Sequence, residues 1–247
     1  MRIDIITLFP EMFAGPFGDS ITKRATDNGI LDIHFTNPRD FTYDKHHQVD
    51  DAPFGGGSGM VLKPEPMFRA LRAVKAAAGD EAEGACRTVL LCPSGKTFTQ
   101  EKAKELASFE HLILICGHYE GFDHRITEHL ADELLSIGDY VLTGGELPAM
   151  VVTDAVSRML PGVLGSPDSA PTDSFYDGLL EYPQYTRPRD YNGMTVPDIL
   201  FSGDHAKIRE WRRRESLRLT LELRPDLLEH AELSEKDRDF LRELTSR

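Results

Sequence analysis

The chain has few cysteines, one tryptophan, no long apolar run and no excess of positive charge, and each shortage narrows what it can be. Cys86, Cys92 and Cys116 are an odd set without C-x-x-C spacing, and two of them fall in strand-like runs. Neither a disulfide framework nor a zinc site is expected from that pattern. No stretch approaches the roughly 18 consecutive apolar residues of a membrane span. Met1-Arg-Ile-Asp-Ile-Ile lacks the apolar segment of a secretory signal, so a cytoplasmic chain free of membranes is expected. A formal charge of -13 argues against a general nucleic-acid binder, because neutralising phosphates takes lysine and arginine.

What the chain does have is core material: 247 residues, 40% of them hydrophobic, enough for one large domain or two small ones. Its charge is uneven. Residues 1–200 hold 17 basic and 30 acidic residues, whereas 201–247 hold 11 of each. Lys207, Arg209, Arg212, Arg213, Arg214 and Arg218 face only Glu210 and Glu215 there, so a local positive surface is expected on an acidic body.

The first two-thirds alternate strand-like and helix-like segments. Strands are expected at Arg2–Leu8, Leu31–Phe35, Thr88–Cys92 and His111–Cys116. Helices are expected near Phe13–Asn28, Pro64–Ala78, Thr99–Phe109 and Asp123–Leu134, and from Gly145 to about Leu160, where Pro148 is tolerated in the first turn. That alternation predicts an α/β domain with a mostly parallel sheet over residues 1–164. Gly165–Thr172, rich in Pro and Ser, reads as part of a linker over 165–176. Residues 177–247 read as a small, mainly helical second domain, with a charged helix from about Asp204 and a last one near Ser234–Leu244.

Three joints share one layout, an apolar run broken by Gly or Pro before a polar stretch: Val89–Lys96, Leu112–Gly121 and Ser136–Pro148. Such joints are expected at the ligand edge of an α/β sheet. Ser94-Gly-Lys-Thr97 resembles the end of a P-loop, but Leu90 stands where that motif needs glycine, so the segment reads as a turn. Gly55-Gly-Gly-Ser-Gly59, preceded by Asp50-Asp51, is either a plain flexible loop or a flap that closes on a substrate. His118, Asp123 and His124 have no recognised metal-ligand spacing. Asp154 and Arg158 fit an ordinary surface ion pair, and Asp173 fits a turn or cap. Trp211, at helical spacing from Lys207, Arg214 and Arg218, can pack on a core or stack on a base.

Taken together, Val49–Met60, Cys116-Gly-His-Tyr-Glu-Gly121, Ser136–Pro148, Asp173-Ser-Phe175, Tyr185-Thr-Arg-Pro188 and Asp204–Arg214 resemble the bacterial tRNA (guanine-N1)-methyltransferases of the SPOUT class, nearly end to end. The resemblance implies a deep trefoil knot, an obligate homodimer, S-adenosylmethionine as methyl donor and a divalent ion, magnesium, at an unassigned site. It implies methylation of N1 of guanosine 37 of tRNA when guanosine precedes it, which supports reading-frame maintenance. It implies cofactor contacts from Pro93, from Gly117, Tyr119 and Glu120, and from Ile137, Gly138, Asp139, Tyr140, Val141, Leu142, Gly144, Gly145 and Pro148. Asp173 and Arg158 match the positions to which the family assigns catalysis, with Asp173 in the linker. Asp50, Gly59, Lys207, Arg209 and Arg214 are the implied substrate contacts. Ser58, where the family often has Pro, and His124, where an acid is common, depart from the pattern. The rival readings are a SPOUT enzyme with another RNA target and a non-catalytic RNA-binding module.

Overall fold

The computed structural model describes residues 1–79, 86–166 and 169–246. It divides into two compact units, Met1–Ser166 and Pro167–Arg247. Pro167 and Asp168 of the expected linker lie outside the described residues.

The first unit is built on five parallel strands: β1 (Arg2–Ile6), β2 (Asp32–Thr36), β5 (Arg87–Thr97), β6 (His111–Cys116) and β7 (Glu133–Ser136), in the order β2-β1-β6-β5-β7. All six residues of β6 are buried, as a central strand covered on both faces requires. Its period of two divides the core. Leu112, Leu114 and Cys116 join one cluster with α2 (Ser20–Asp27), α4 (Gln100–Leu106) and α6 (Glu146–Ser157). Ile113 and Ile115 join the other with α3 (Pro64–Ala78) and α5 (His124–His129). Helix α3 starts on Pro64 and stops at Gly79, whose φ of 77° terminates it in the left-handed region.

Four expectations are corrected. The helix expected over Asp123–Leu134 ends at His129, and β7 begins at Glu133. Long-range pairing decides this: Leu134 and Leu135 enter the ladder opposite Leu90 and Leu91, and Glu133 receives Arg87 at 2.8 Å and Lys102 at 3.0 Å. The strand expected to stop at Cys92 runs on to Thr97, with a register shift between Leu91 and Lys96. The helix expected over Phe13–Asn28 is broken into a 3-10 turn at Pro10–Phe13, α1 (Ala14–Phe17) and α2, which Asp19 caps through Ser20 N–H at 2.7 Å. A small antiparallel hairpin, β3 (Asp50–Asp51) with β4 (Val61–Leu62), forms at the base of the glycine-rich loop, where no strand is expected.

The second unit holds α7 (Ser169–Thr172), a hairpin of β8 (Asp190–Tyr191) and β9 (Met194–Thr195), α8 (His205–Leu223) and α9 (Glu235–Thr245). Asn192 and Gly193, both at positive φ, make the two-residue hairpin turn. Asp204 caps α8 by accepting from the N–H groups of Ala206 and Lys207, and Ser234 with Asp237 forms a capping box on α9. Leu179, Leu217 and Thr220 are buried in this unit, whose described core is far smaller than that of the first. Among the described residues, no helix is long and apolar enough to cross a membrane.

Candidate functional site

Strands β5, β6 and β7 are neighbours, and the loops that leave their carboxyl ends close around one cavity of about 230 Å³. Its position is that expected of ligand sites in parallel sheets, beyond the carboxyl edge. The first wall is the irregular stretch of β5. Leu91 and Lys96 both pair with Leu135, so Cys92–Gly95 is looped out of the ladder. Pro93 stands in that loop, where its lack of an N–H breaks no ladder bond.

The second wall follows β6. Gly121 N–H donates to the His118 carbonyl at 3.1 Å, and Tyr119 is forced to a φ of 59°. A bulky residue held there is strained, and the surrounding contacts maintain it: Arg39 Nη2 donates to the Tyr119 hydroxyl at 3.2 Å. The third wall follows β7 and returns across the second. Gly145 N–H donates to the Gly117 carbonyl at 2.8 Å, and Gly144 bridges His118. A Cβ added at Gly145 would lie 2.6 Å from Cys116 Cα and 2.8 Å from Gly117 N, both backbone atoms, so only glycine permits the crossing.

Twelve of the thirteen residues implied as cofactor contacts line this cavity: Pro93, Gly117, Tyr119, Glu120, Ile137, Gly138, Tyr140, Val141, Leu142, Gly144, Gly145 and Pro148. Asp139 does not. It sits at the turn where Tyr140 N–H closes on the Gly138 carbonyl at 2.9 Å. His118 and Thr143 also line the cavity, and neither stood among the expected contacts; both lie inside motifs quoted for the resemblance, and that was the signal available. His118 Nδ1 is buried without a hydrogen-bond partner among the described residues, which leaves one polar atom of the wall for a ligand.

The electrostatics of the wall are simple. Among the described residues, Glu120 is the one acidic side chain lining it, and no lysine or arginine does. Beneath the floor, Glu146 in the first turn of α6 is buried and accepts from Thr7 Oγ1 at 2.8 Å. Burial, and secondarily the charge of Glu146, pushes the Cys116 thiol well above its ordinary pKa. Cys116 therefore stays a thiol and is no nucleophile. A cavity of backbone amides, apolar side chains and one carboxylate fits a ligand carrying a flat polar group and a positive charge.

The glycine-rich loop is tied to this cavity by its base. Glu120 N–H donates to the Met60 carbonyl at 3.0 Å and Leu62 N–H to the Gly121 carbonyl at 2.9 Å. Gly59, at a φ of 82°, packs so closely on Glu120 that an added Cβ would lie 2.4 Å from its Cγ. Asp50 opens β3 at the other side of the hairpin, and Phe54 is fully exposed between them. The structure thus brings Asp50 and Gly59 to the loop that carries Glu120.

Arg158 directly follows α6, its N–H donating to the Asp154 carbonyl at 3.1 Å. Among the described residues no ion pair joins Asp154 to Arg158, although their spacing allows one. Asp173 follows α7 in the second unit, half-buried, and its backbone carbonyl accepts from Tyr176 N–H at 3.3 Å. Of the expected cations of α8, Lys207 pairs with Asp204 at 3.2 Å and Arg214 with Glu210 at 3.1 Å. Arg209 is exposed and carries no ion pair among the described residues. No group of three potential metal ligands occurs among the described residues.

Residues 1–230 match the family model described as tRNA (Guanine-1)-methyltransferase TrmD. Curated relatives are similar over nearly the whole chain. One from Desulforamulus reducens is 59% identical over 244 residues, covering 99% of this chain and 95% of the relative. One from Dehalococcoides mccartyi strain 195 is 57% identical over 244 residues, covering 99% and 97%, and one from Bacillus licheniformis is 56% identical over 247 residues and the full length of both. All three are named tRNA (guanine-N(1)-)-methyltransferase. With a glycine-crossed cavity at the edge of a parallel sheet and a family match over almost its entire length, the chain belongs to the tRNA (Guanine-1)-methyltransferase TrmD family, of the SPOUT class.

Proposed function

We propose that this enzyme transfers a methyl group from S-adenosylmethionine to N1 of guanosine 37 in tRNA that carries guanosine at position 36. The observation that carries the reading is the charge of the cavity wall, one carboxylate and no cation among the described residues, within a member of this family. Backbone groups around Gly117, Ile137 and Gly138 would hold the adenine and ribose, and Glu120 would face the cationic end. When bound there, S-adenosylmethionine supplies an electrophilic methyl on a sulfonium. The unpartnered His118 Nδ1 and the cradle made possible by Gly144 and Gly145 fit such a ligand.

The chain's own residues prepare the acceptor. Guanine N1 carries a proton and its lone pair is delocalised into the C6 carbonyl, so it attacks a methyl group poorly until deprotonated. Asp173 accepts that proton. A carboxylate with an ordinary pKa of about 3.9 is a weak base for it, so the negative charge that moves onto O6 needs stabilising, and Arg158 supplies this. The glycine-rich loop, with Asp50 and Gly59, holds the guanine, and Lys207, Arg209 and Arg214 hold the RNA backbone.

The same reading assigns residues 1–164 to cofactor binding, 165–176 to a linker that carries Asp173, and 177–247 to tRNA binding. It takes the crossing at Gly145 as part of a trefoil knot, the active form as a cytoplasmic homodimer, the divalent ion as magnesium, and the cellular role as maintenance of the reading frame. The test is transfer of labelled methyl to an unmodified transcript with guanosine at 36 and 37, beside one altered only at 37. Label in the first alone is expected; label in both moves the target elsewhere, and label in neither, with cofactor bound, removes the catalytic reading. Asp173→Asn is expected to lower kcat by about 10²–10⁴ while cofactor binding stays intact.

A further inference from the structure

We propose that a cavity within the C-terminal unit is a second nucleotide pocket, which takes one unstacked nucleotide of the bound tRNA other than the target guanosine. The inference rests on the tRNA reading above and adds a named subsite to it. The cavity, about 560 Å³, lies between the Tyr182–Arg189 segment and α8. That is within the range of about 300–1,000 Å³ found for small-molecule sites.

Its lining is unlike the rest of the molecule. The chain has 41 acidic residues, yet none lines this cavity among the described residues, while Arg187, Arg189 and Arg212 all do. Arg189 is neutralised by Asp198 at 2.7 Å and lies over the Phe201 ring. Arg187 and Arg212 have no ion pair among the described residues, and Arg212 Nε is buried without a hydrogen-bond partner. Of the other cations of α8, Lys207, Arg213, Arg214 and Arg218 each hold a carboxylate, and Arg209, exposed and without an ion pair among the described residues, does not line the cavity. Two guanidinium groups are thus left uncompensated at one place on an acidic chain.

Aromatic faces stand at the same place. Tyr185 and Trp211 lie with ring centroids 6.4 Å apart, tilted by 49°, and Arg212 Cζ lies 4.7 Å over the Tyr182 ring. Both rings line the cavity, and Tyr185 is nearly half exposed. A planar anion satisfies all of these groups at once. The base of a nucleotide stacks on the Tyr185 or Trp211 face, and its phosphate accepts from Arg187 and Arg212, which is how unpaired RNA nucleotides are commonly gripped.

Trp211 is the chain's one tryptophan, so its emission reports this pocket. The full-length protein is titrated with AMP, GMP, CMP and UMP, then with ribose 5-phosphate and inorganic phosphate. A saturable change with the four nucleotides and a much weaker one with the two base-free probes is expected. Equal responses to phosphate and nucleotides would make it a plain anion site and overturn the assignment, as would no response at all. In methyl transfer, Arg212→Gln and Tyr185→Ala are each expected to raise KM for tRNA about tenfold, with kcat much less affected. Arg187→Gln, an exposed side chain outside the unit's core, is expected to act in the same direction and guards against a folding defect in the other two. If tRNA is methylated and all three variants keep the parental KM, this pocket fails alone; if the parental chain methylates no tRNA, the proposed function fails first.

Discussion

The two cavities of this protein are built on opposite plans. The one at the sheet edge is about 230 Å³, walled by loops whose backbones touch, with one acid and no cation among the described residues. The one in the C-terminal unit is about 560 Å³, walled by aromatic rings and guanidinium groups on a helix and an extended segment. The first gets its shape from glycines that let main chains meet at van der Waals contact, so its specificity resides in positions where no side chain can be added. The second gets its character from side chains that can be trimmed one at a time. A backbone-built site should therefore fail abruptly on substitution, and a side-chain-built site by degrees.

The largest effect is expected at Gly145. Gly145→Val places a side chain into the backbone of Cys116 and Gly117, costs at least about 1–3 kcal/mol, and abolishes cofactor binding in a calorimetric titration. Gly15→Ala, where an added Cβ meets nothing within 4 Å, leaves binding and melting temperature unchanged. Should Gly145→Val bind cofactor normally, the distinction between the two plans collapses.

Acid separates the two units next. Burial of Asp4 would raise its pKa, but hydrogen bonds from His111 at 2.8 Å and Arg2 at 2.6 Å outweigh it and hold the carboxyl below its ordinary value. Burial of Asp237 is likewise outweighed, by Arg213 and by Ser234. For a carboxyl lowered on folding, the stabilisation is complete above the unfolded pKa, near 3.9, and is lost as pH falls through the folded value. Both units are therefore expected to lose stability below about pH 4. Asp4→Asn should flatten the acid limb of the urea midpoint for the first unit, and Asp237→Asn that of the second. An unchanged slope in either variant would show that other carboxyls govern that unit.

The smallest effects test the surface. Lys207→Ala removes an exposed pair with Asp204 and should leave the melting temperature within error, while lowering the salt dependence of tRNA binding by about one counterion. Tyr140→Ala, half exposed at the rim of the sheet-edge cavity, should weaken cofactor binding by less than Gly145→Val does. If Tyr140→Ala were the more damaging, side chains rather than backbone would dominate that site too.

Much of this was legible in the chain. Apolar pattern gave β1, β6 and α3 nearly to the residue, the strands as short continuous apolar runs buried on both faces and the helix as one apolar face of helical period. The paired glycines and the Cys116–Gly121 motif marked the cavity, and the matched motifs named all but one of the lining residues expected there. Asp139 lies outside the cavity lining, and a motif does not reveal which members of a turn face a cavity. The identity of Trp211 as a cavity wall rather than core was also open, since an aromatic among cations has the same sequence pattern in either setting.

By itself the sequence determined the α/β class, the approximate place of the central strands and helices, and the glycine joints, since these follow from interactions within a few residues. Only the tertiary structure decided that Glu133–Ser136 is a strand, that β5 resumes after Pro93, and that Lys207 and Arg214 hold carboxylates while Arg187 and Arg212 hold none among the described residues. Each of those outcomes turns on a partner, whether a ladder or a carboxylate, that the fold brings within reach or keeps away. Local periodicity carries no record of such partners.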